Sequence, residues 1–157
     1  MTRRWMVVLF LMLSATSAHA QVDTAGVRGT VQRFFDAMAT KDTTTLRALM
    51  APGMSMALTQ VGPQPVKPRY SPDASFLTAV AVVQEPLIER MWNPTIHIDG
   101  PVAVLWTPYD FHNGKKFSHC GTDVFTLMKS DTGWQIVGLA FTIQRTGCAP
   151  SPLGPPK

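Results

Sequence analysis

Apolar residues in the first half of the chain recur at the spacing of amphipathic helices. After Asp23, they follow one stripe made of Val27, Val31, Phe34, Phe35 and Met38. A second, shorter helical pattern ends at the Ala-Pro-Gly sequence of residues 51–53. A third begins at Ser71 and Pro72, because serine suits a helix cap and proline suits the first helical turn. The pattern therefore predicts three helices, with one early strand near residues 54–58.

From Pro86 onward the apolar period changes to two, which is the period of β-strands. The segments that show it are 87–98, 102–111, 117–128 and 134–146. Asp-Gly, Asn-Gly and Asp-Thr-Gly sequences join these segments, and each is typical of a hairpin turn. Helices followed by an antiparallel meander predict an α+β fold, in which a curved sheet wraps around three N-terminal helices.

The first twenty residues have the layout of a secretory signal peptide. Arg3 and Arg4 precede an apolar run over 5–13, and Ala-His-Ala at 18–20 supplies a cleavage site of the small-x-small type. The apolar run is too short to cross a bilayer as a helix. We therefore expect cleavage after Ala20, a periplasmic or secreted location, and no membrane attachment once the signal is removed.

The mature chain is predicted to form one domain over 21–146, followed by a loose tail rich in proline and glycine over 147–157. Without Arg3 and Arg4, the 14 basic residues become 12 against 10 acidic ones, and they form no cluster. This charge pattern excludes the electrostatic footprint of a nucleic-acid-binding protein. No metal and no cofactor are expected, because metal-ligand pairs at standard spacing and glycine-rich phosphate loops are both missing from the sequence.

Export makes Cys120 and Cys148 candidates for one disulfide. The predicted strand register places Cys120 opposite residue 143 or 144, which leaves Cys148 about 13 to 16 Å further along an ideal strand. A bridge then requires the chain to turn back at Gly147. A disulfide and two free thiols both remain open at this point.

Counting back from the turns predicts which strand residues share a face of the sheet. With two-residue turns at 99–100 and 113–114, Glu89 lies opposite Asp110, which in turn lies opposite Phe117. The more polar face carries Glu89, Asn93, His97, Trp106, Asp110, His119 and Asp123. The more apolar face carries Ile88, Trp92, Ile96, Leu105, Tyr109, Phe111, Cys120 and Val124. A single bulge would shift part of this assignment.

Two interpretations of the polar face are open. In one it lies outside, in water or at a dimer contact, while the apolar face forms the core wall. In the other, Trp106, His119 and Asp123 line a cavity, and Asp123 orients the His119 imidazole for proton transfer. Residues four apart on a strand lie about 13 Å apart, so direct contact needs a twist, a bulge or a bridging substrate.

Further candidate ligand contacts lie along the same strands. Tyr109, beside Arg90, is either a core tyrosine or a hydrogen-bond donor to a ligand. Trp92 and Trp106 are either core residues or walls for an aromatic ligand. Glu89 and Asp110 would share a proton if the pair were buried.

Several stretches resemble the nuclear transport factor 2-like superfamily, in its exported bacterial branch described as SnoaL-like or putative lumazine-binding. The resemblance is carried by VQRFFDAMATKDTTTLRALMAPG, ERMWNP, IDGPVAVLWTPYDF and KKFSHCGTDVFTLMKSDTGWQIVGLAFT, and it covers nearly the whole mature chain. It implies a cone-shaped, cystatin-like fold with a cavity between sheet and helices, and a homodimer formed through the sheet. It implies no particular activity, because related folds carry unrelated functions.

We expect an exported domain that binds a small apolar or aromatic molecule in this cavity. The alternative is an isomerase, lyase or hydrolase of the SnoaL-like type. In that case His119 is the general base, Asp123 is its partner, and Tyr109 donates to developing oxyanion charge. A protein-interaction module that uses the open sheet face is a third possibility. Whether the protein is an enzyme is left open, because no catalytic motif of the relatives matches residue by residue.

Overall fold

Three helices pack against one curved, unclosed sheet of seven strands in the structure, a computed structural model that describes residues 23–62 and 66–156. The elements in chain order are α1 Thr24–Thr40, α2 Thr43–Leu49, β1 Met50–Gln60, β2 Arg69–Pro72, α3 Asp73–Val82, β3 Leu87–Met91, β4 Thr95–Asp99, β5 Val102–Asn113, β6 Lys116–Ser130 and β7 Gly133–Ile143. The α+β prediction and its wrapped sheet are confirmed. The predicted signal peptide and its cleavage site lie outside the described residues.

The helices begin where their capping residues predict. The Asp23 carboxylate accepts a hydrogen bond from the Gly26 amide at the start of α1, and Asp42 accepts one from Thr45 at the start of α2. The buried side of α1 contains all five residues of the predicted apolar stripe. The third helix begins one residue later than predicted, because Pro72 is its cap residue rather than its first helical residue.

The strands follow the order β2-β1-β7-β6-β5-β3, and β4 also pairs with β5. The predicted strand 87–98 is divided in two at Trp92 to Pro94, where Asn93 takes a positive φ of 46°. Asparagine tolerates this left-handed backbone, and proline cannot donate to a strand ladder. The sheet is not wholly antiparallel, because β1 runs parallel to β7.

Two of the three predicted hairpin turns lie one residue later than the sequence suggested. Asp99 pairs with Val102 and Asn113 pairs with Lys116, so a glycine occupies the first central position of each turn. These two glycines have φ values of 53° and 56°, which is the left-handed conformation that such a position requires. A bulge then follows between Phe111 and His112 and shifts the register again.

The new register changes the predicted partners of the acidic residues. Glu89 lies opposite Phe111 instead of Asp110, and Asp110 lies opposite Cys120 instead of Phe117. The predicted pairing of Glu89 with Asp110 is therefore wrong. Side chains alternate between the two faces, so Glu89 lies on the inner face of the sheet and Asp110 on the outer face.

The core lies between α1 and the inner face of the sheet. Phe34 and Phe35 of α1 each contact Phe125 of β6 edge to face, with ring centroids 5.8 Å apart. Leu105, Leu127 and Ile136 are fully buried beside them. This packing fixes α1 over the middle of the sheet.

The tail after β7, which the sequence predicts to be loose, contacts the outer face of the sheet at two points. Gly147, with a φ of 72°, turns the chain back, and Cys148 forms a disulfide with Cys120 across a Cα separation of 6.1 Å. Further along, the Arg90 guanidinium donates to the Gly154 carbonyl oxygen at 2.8 Å. The reversal at Gly147 removes the distance problem that the straight-strand register had suggested.

Candidate functional site

A cavity of about 300 Å³ lies between the inner face of the sheet and helices α1 and α3. Most of its wall is apolar, and the wall includes Phe34, Met38, Phe76, Leu139, Phe141 and Ile143. Two carboxylic acid side chains and one imidazole also line it, namely Glu89, Asp123 and His119, together with the Tyr109 phenol. The cavity therefore combines an apolar enclosure with a small group of acid and base side chains at one wall.

These polar residues come together because the register differs from the predicted one. Phe111 of β5 pairs with Glu89 of β3 on one side and with His119 of β6 on the other. Asp123 lies four residues after His119 and therefore points to the same face. The two predicted faces are thus mixed, since these polar residues share the inner face with Tyr109 and Phe111.

Four of the residues predicted to contact a ligand lie away from this cavity. Trp106 is 45% exposed on the outer face, so the structure corrects its predicted place in the cavity. Asp110 is buried on that same outer face, where Arg90 donates to both of its carboxylate oxygens at 2.9 and 2.6 Å. Trp92 is partly buried in the irregular segment between β3 and β4. The register is the cause for the residues in regular strands, because a shift of one residue moves a side chain to the other face, whereas Trp92 lies where the strand is interrupted.

The Arg90 ion pair sets the charge of Asp110. Burial raises the pKa of Asp110, but the hydrogen bonds and the charge of Arg90 outweigh that effect and hold it below its ordinary value. Asp110 is therefore a carboxylate with a bidentate cationic partner, a common structural arrangement.

Glu89 and Asp123 are in a different electrostatic situation. Burial raises the pKa of Glu89 to about 8, although an interaction with the Asp123 carboxyl acts in the opposite direction. Burial also raises the pKa of Asp123, and the Glu89 charge raises it further. Asp123 is 1% exposed, and its Oδ2 atom is buried without a hydrogen-bond partner in the described part of the chain. Glu89 therefore carries a proton at neutral pH, and burial favours the protonated form of Asp123 as well.

His119 is held by a neighbour other than the predicted one. Its Nδ1 atom lies 3.0 Å from Ser118 Oγ, and its ring stacks on Phe111 with centroids 4.8 Å apart. Between His119 and Asp123 no hydrogen bond is found in the structure as described. Burial, with a contribution from the Arg145 charge, lowers the pKa of His119 to about 4. The imidazole is therefore neutral at pH 7, and the predicted dyad with Asp123 is not formed.

Tyr109 is a core residue whose hydroxyl group is used within the fold. It is 1% exposed, and its hydroxyl donates to the Thr142 carbonyl oxygen at 2.7 Å. Burial raises its pKa far above the ordinary tyrosine value, so it stays protonated. Of the two roles left open by the sequence, the structure favours the core tyrosine over a free donor to a ligand.

Sequence reasoning missed the stacked aromatic side chains that line the cavity on its helix side. Phe34 of α1 and Phe76 of α3 stack with centroids 5.5 Å apart and planes 13° apart, and both line the cavity. Phe34 was predicted only as a member of the buried stripe of α1. The available signal was that two predicted helices both carried phenylalanine on the side that must meet the sheet.

Two further features bear on the kind of site. Over residues 23–62 and 66–156, no group of three or more His, Cys, Asp or Glu side chains is arranged to hold a metal ion. Among the helices in those ranges, none is both long enough and apolar enough to cross a membrane.

Comparison with known proteins gives one family match and many structural matches. Residues 22–142 match the family described as "Putative lumazine-binding". No curated protein matches the sequence significantly.

The fold is similar to those of several solved bacterial proteins. A nuclear transport factor 2-like protein from Cytophaga hutchinsonii superposes with a TM-score of 0.65 at 10% identity, covering 78% of this chain and 98% of that one. A similar protein with a cystatin-like fold, from Novosphingobium aromaticivorans, gives 0.63 at 14% identity, with coverages of 81% and 84%. A superfamily protein from Salmonella enterica serovar Typhimurium gives 0.60 at 16% identity, with coverages of 78% and 92%. At these identities the likeness concerns the fold alone.

Proposed function

Because the chain belongs to the family described as "Putative lumazine-binding", within the nuclear transport factor 2-like superfamily, we propose that it binds a small, flat, mainly apolar molecule between its sheet and helices. The observation that carries this proposal is the apolar cavity with Glu89 and Asp123 on one wall. Few polar groups in a mainly apolar enclosure are typical of small-molecule sites, in which the polar groups fix the orientation of the ligand.

The size and the walls of the cavity favour a planar ligand. A volume of about 300 Å³ is at the small end of ligand sites, which suits one or two fused rings. The stacked pair of Phe34 and Phe76 and the stacked pair of Phe111 and His119 contribute aromatic surface. The family description makes lumazine, a bicyclic ring system, the first molecule to test.

Binding is tested by blocking the cavity from α3. Ala79 lines the cavity yet is exposed, so a tryptophan there fills the entrance without entering the core. We expect the neutral dye N-phenyl-1-naphthylamine to bind wild type with a rise in fluorescence and to be displaced by lumazine. Ala79→Trp is expected to weaken dye binding on the order of tenfold, which corresponds to about 1.4 kcal/mol.

The matched control is Ala81→Trp, at an exposed position of the same helix that does not line the cavity. It should bind the dye as wild type does. Equal binding by both tryptophan variants would show that the dye binds elsewhere, and no binding to wild type would contradict the proposal.

The same carboxyl groups favour a second candidate function, which is proton transfer on the bound molecule in an isomerase, lyase or hydrolase. A general acid or base works best with a pKa near the working pH. The pKa of Glu89, about 8, is closer to neutrality than that of His119, about 4. The catalytic version therefore rests on Glu89 and Asp123 rather than on His119 and Tyr109. Chromatography of ligands recovered after incubation with wild type and with Glu89→Gln, which resolves isomers of equal mass, followed by mass spectrometry of each peak, separates turnover from binding.

We further propose that two copies associate through the outer face of the sheet. Val102, Trp106 and Met128 are 41%, 45% and 49% exposed there, and Val124 lies opposite Trp106 on the adjacent strand. An exposed apolar patch of this kind is typical of an interaction surface. A second copy would cover it with a matching patch, since a two-fold interface uses the same surface on both subunits.

Trp106→Glu is expected to convert the dimer to a monomer. A carboxylate at the middle of the patch would be buried without a partner in the dimer, at a cost of several kcal/mol. Light scattering at micromolar concentration measures the mass directly. Val82→Glu, at an exposed apolar position on α3, is the control and should leave the dimer intact. A monomeric wild type would contradict the proposal.

A periplasmic or secreted location is also part of the proposal. It is supported by the signal-peptide pattern of the first twenty residues and by the disulfide between Cys120 and Cys148. Disulfides of this structural kind persist in oxidising compartments.

A further inference from the structure

The carboxyl groups of Glu89 and Asp123 have no cationic partner in the cavity. None of the described residues that line it is lysine or arginine, and Arg145, whose charge reaches His119, is exposed and does not line it. Oδ2 of Asp123 is buried and makes no hydrogen bond within the described structure. An isolated carboxylate is strongly destabilised in such surroundings, so the group there is a neutral carboxylic acid. The raised pKa values of both residues agree with this assignment.

A neutral carboxylic acid differs from a carboxylate in what it offers to a ligand. A carboxylate only accepts hydrogen bonds, whereas a carboxylic acid presents an O–H donor beside a C=O acceptor. The complementary edge on a ligand is an N–H beside a C=O. Cyclic amides, imides and ureides have this edge on a flat, uncharged ring.

The surroundings of Asp123 suit the same kind of ligand. Asp123 pairs in register with Phe141 of β7, which also lines the cavity, so an aromatic side chain lies beside the acid. Glu89 on β3 is close enough to raise the pKa of Asp123, and Oδ2 of Asp123 stays without a hydrogen-bond partner in the described structure. An anionic ligand is excluded, because no cation is present to offset its charge in an apolar enclosure.

We infer that the cavity selects neutral, flat heterocycles by pairing an N–H/C=O edge of the ligand with the carboxylic acid of Asp123. Glu89 holds that acid in position. The inference rests on the proposed binding function. It adds a class of ligand and names Asp123 as the residue that recognises that class by hydrogen bonding.

The test uses two probes of the same shape. 2-Quinolone is a flat bicyclic lactam, and coumarin is the corresponding lactone, with a ring oxygen where the lactam has N–H. Wild-type protein at pH 6 is expected to bind 2-quinolone about tenfold more tightly than coumarin, since one good hydrogen bond to a buried group is worth about that much. Calorimetry or displacement of N-phenyl-1-naphthylamine measures both affinities.

Substitutions at Asp123 then identify the group that makes the distinction. Asp123→Asn is expected to keep the preference for the lactam, because a carboxamide also presents a donor beside an acceptor. Asp123→Leu has neither group and is expected to bind both probes equally. Circular dichroism of each variant establishes that it is folded before binding is measured.

A pH series adds a readout that packing alone would not change. The wild-type preference for 2-quinolone should weaken as the pH rises through the pKa of Glu89, about 8, and the carboxyl groups begin to lose their protons, whereas Asp123→Asn should keep its preference. Equal binding of the two probes by wild type at pH 6 would overturn the inference but leave the binding function intact. Binding of the dye without either probe would also overturn it. Failure of the dye itself to bind would contradict the proposed function.

Discussion

Gly121→Ala is expected to lower the free energy of unfolding by about 3 kcal/mol or more, as overpacking at an unyielding site does. A Cβ atom at this position would overlap the Thr142 carbonyl oxygen and the ring of Tyr109. Neither neighbour can move freely, because the Tyr109 hydroxyl donates to that same carbonyl and Thr142 also accepts from the Thr122 amide. Urea denaturation followed by circular dichroism measures the loss.

The matched control for this substitution is Gly138→Ala. Gly138 lies in β7, where an added Cβ would meet open space. Alanine there should leave stability unchanged or raise it by about 0.5 kcal/mol, because it reduces the freedom of the unfolded chain. Equal losses at the two positions would show that the contact with Tyr109 and Thr142 is not the reason for glycine at position 121.

The second large effect concerns the dependence of stability on pH. Glu89 has a pKa of about 8 in the folded protein and an ordinary value of 4.5, so between these values the folded state holds a proton that the unfolded state has lost. Stability is then full below about pH 4.5 and falls as the pH rises to 8, by about 1.4 kcal/mol per pH unit. Asp123, whose pKa is also raised, acts in the same direction.

His119 opposes this trend over part of the range. Its pKa falls from 6.5 to about 4 on folding, so the stability it contributes is lost as the pH falls through that window. The net decline is therefore expected to be steepest between pH 6.5 and pH 8, where His119 no longer compensates. The Asp110 charge, which also raises the pKa of Glu89, stays constant over this range because its own pKa is low.

Urea denaturation at pH 5, 6.5 and 8 measures the profile. Glu89→Gln should reduce the slope above pH 6.5 and be more stable than wild type at pH 8, and adding Asp123→Asn should flatten it. Glu85→Gln, at an exposed position, is the control and should keep the wild-type slope. If wild-type stability does not fall above pH 6.5, the two carboxyl groups are not the buried neutral acids that the cavity geometry indicates.

The architecture was accessible from the sequence because it depends on periodicity. The apolar stripe of α1 has the helical period, and its five members are all buried against the sheet. The strands after Pro86 alternate with a period of two and follow one another as neighbours. These patterns average over many residues, so an error of one residue at an element's end does little harm.

The candidate site was less accessible because it depends on single residues. Glu89, His119 and Asp123 were all identified as candidates, but the register placed Asp110 and Trp106 with them. Two glycines each move a turn by one residue, and a bulge follows Phe111. Together these shifts change which side chains share a face of the sheet. Local sequence contains little information about where a bulge falls, because its cause is the fit of the whole sheet.

The contacts of the tail were not accessible from the sequence for a related reason. Its proline and glycine content is typical of a flexible end, and composition alone does not show that Arg90 and Cys120 hold it at two points. Both partners are distant in sequence.

The parallel ladder between β1 and β7 bears on how the molecule is made. It joins the first strand of the domain to the last, and β1 is the only described strand that links β2 to the rest of the sheet. During synthesis, β1 and β2 must therefore wait for β7 before they can join the rest of the sheet. Contacts of such long sequence separation slow folding. Chains that end before β7 are expected to remain open, with β1 and the unpaired edge of β6 exposed to other unfinished chains and to chaperones.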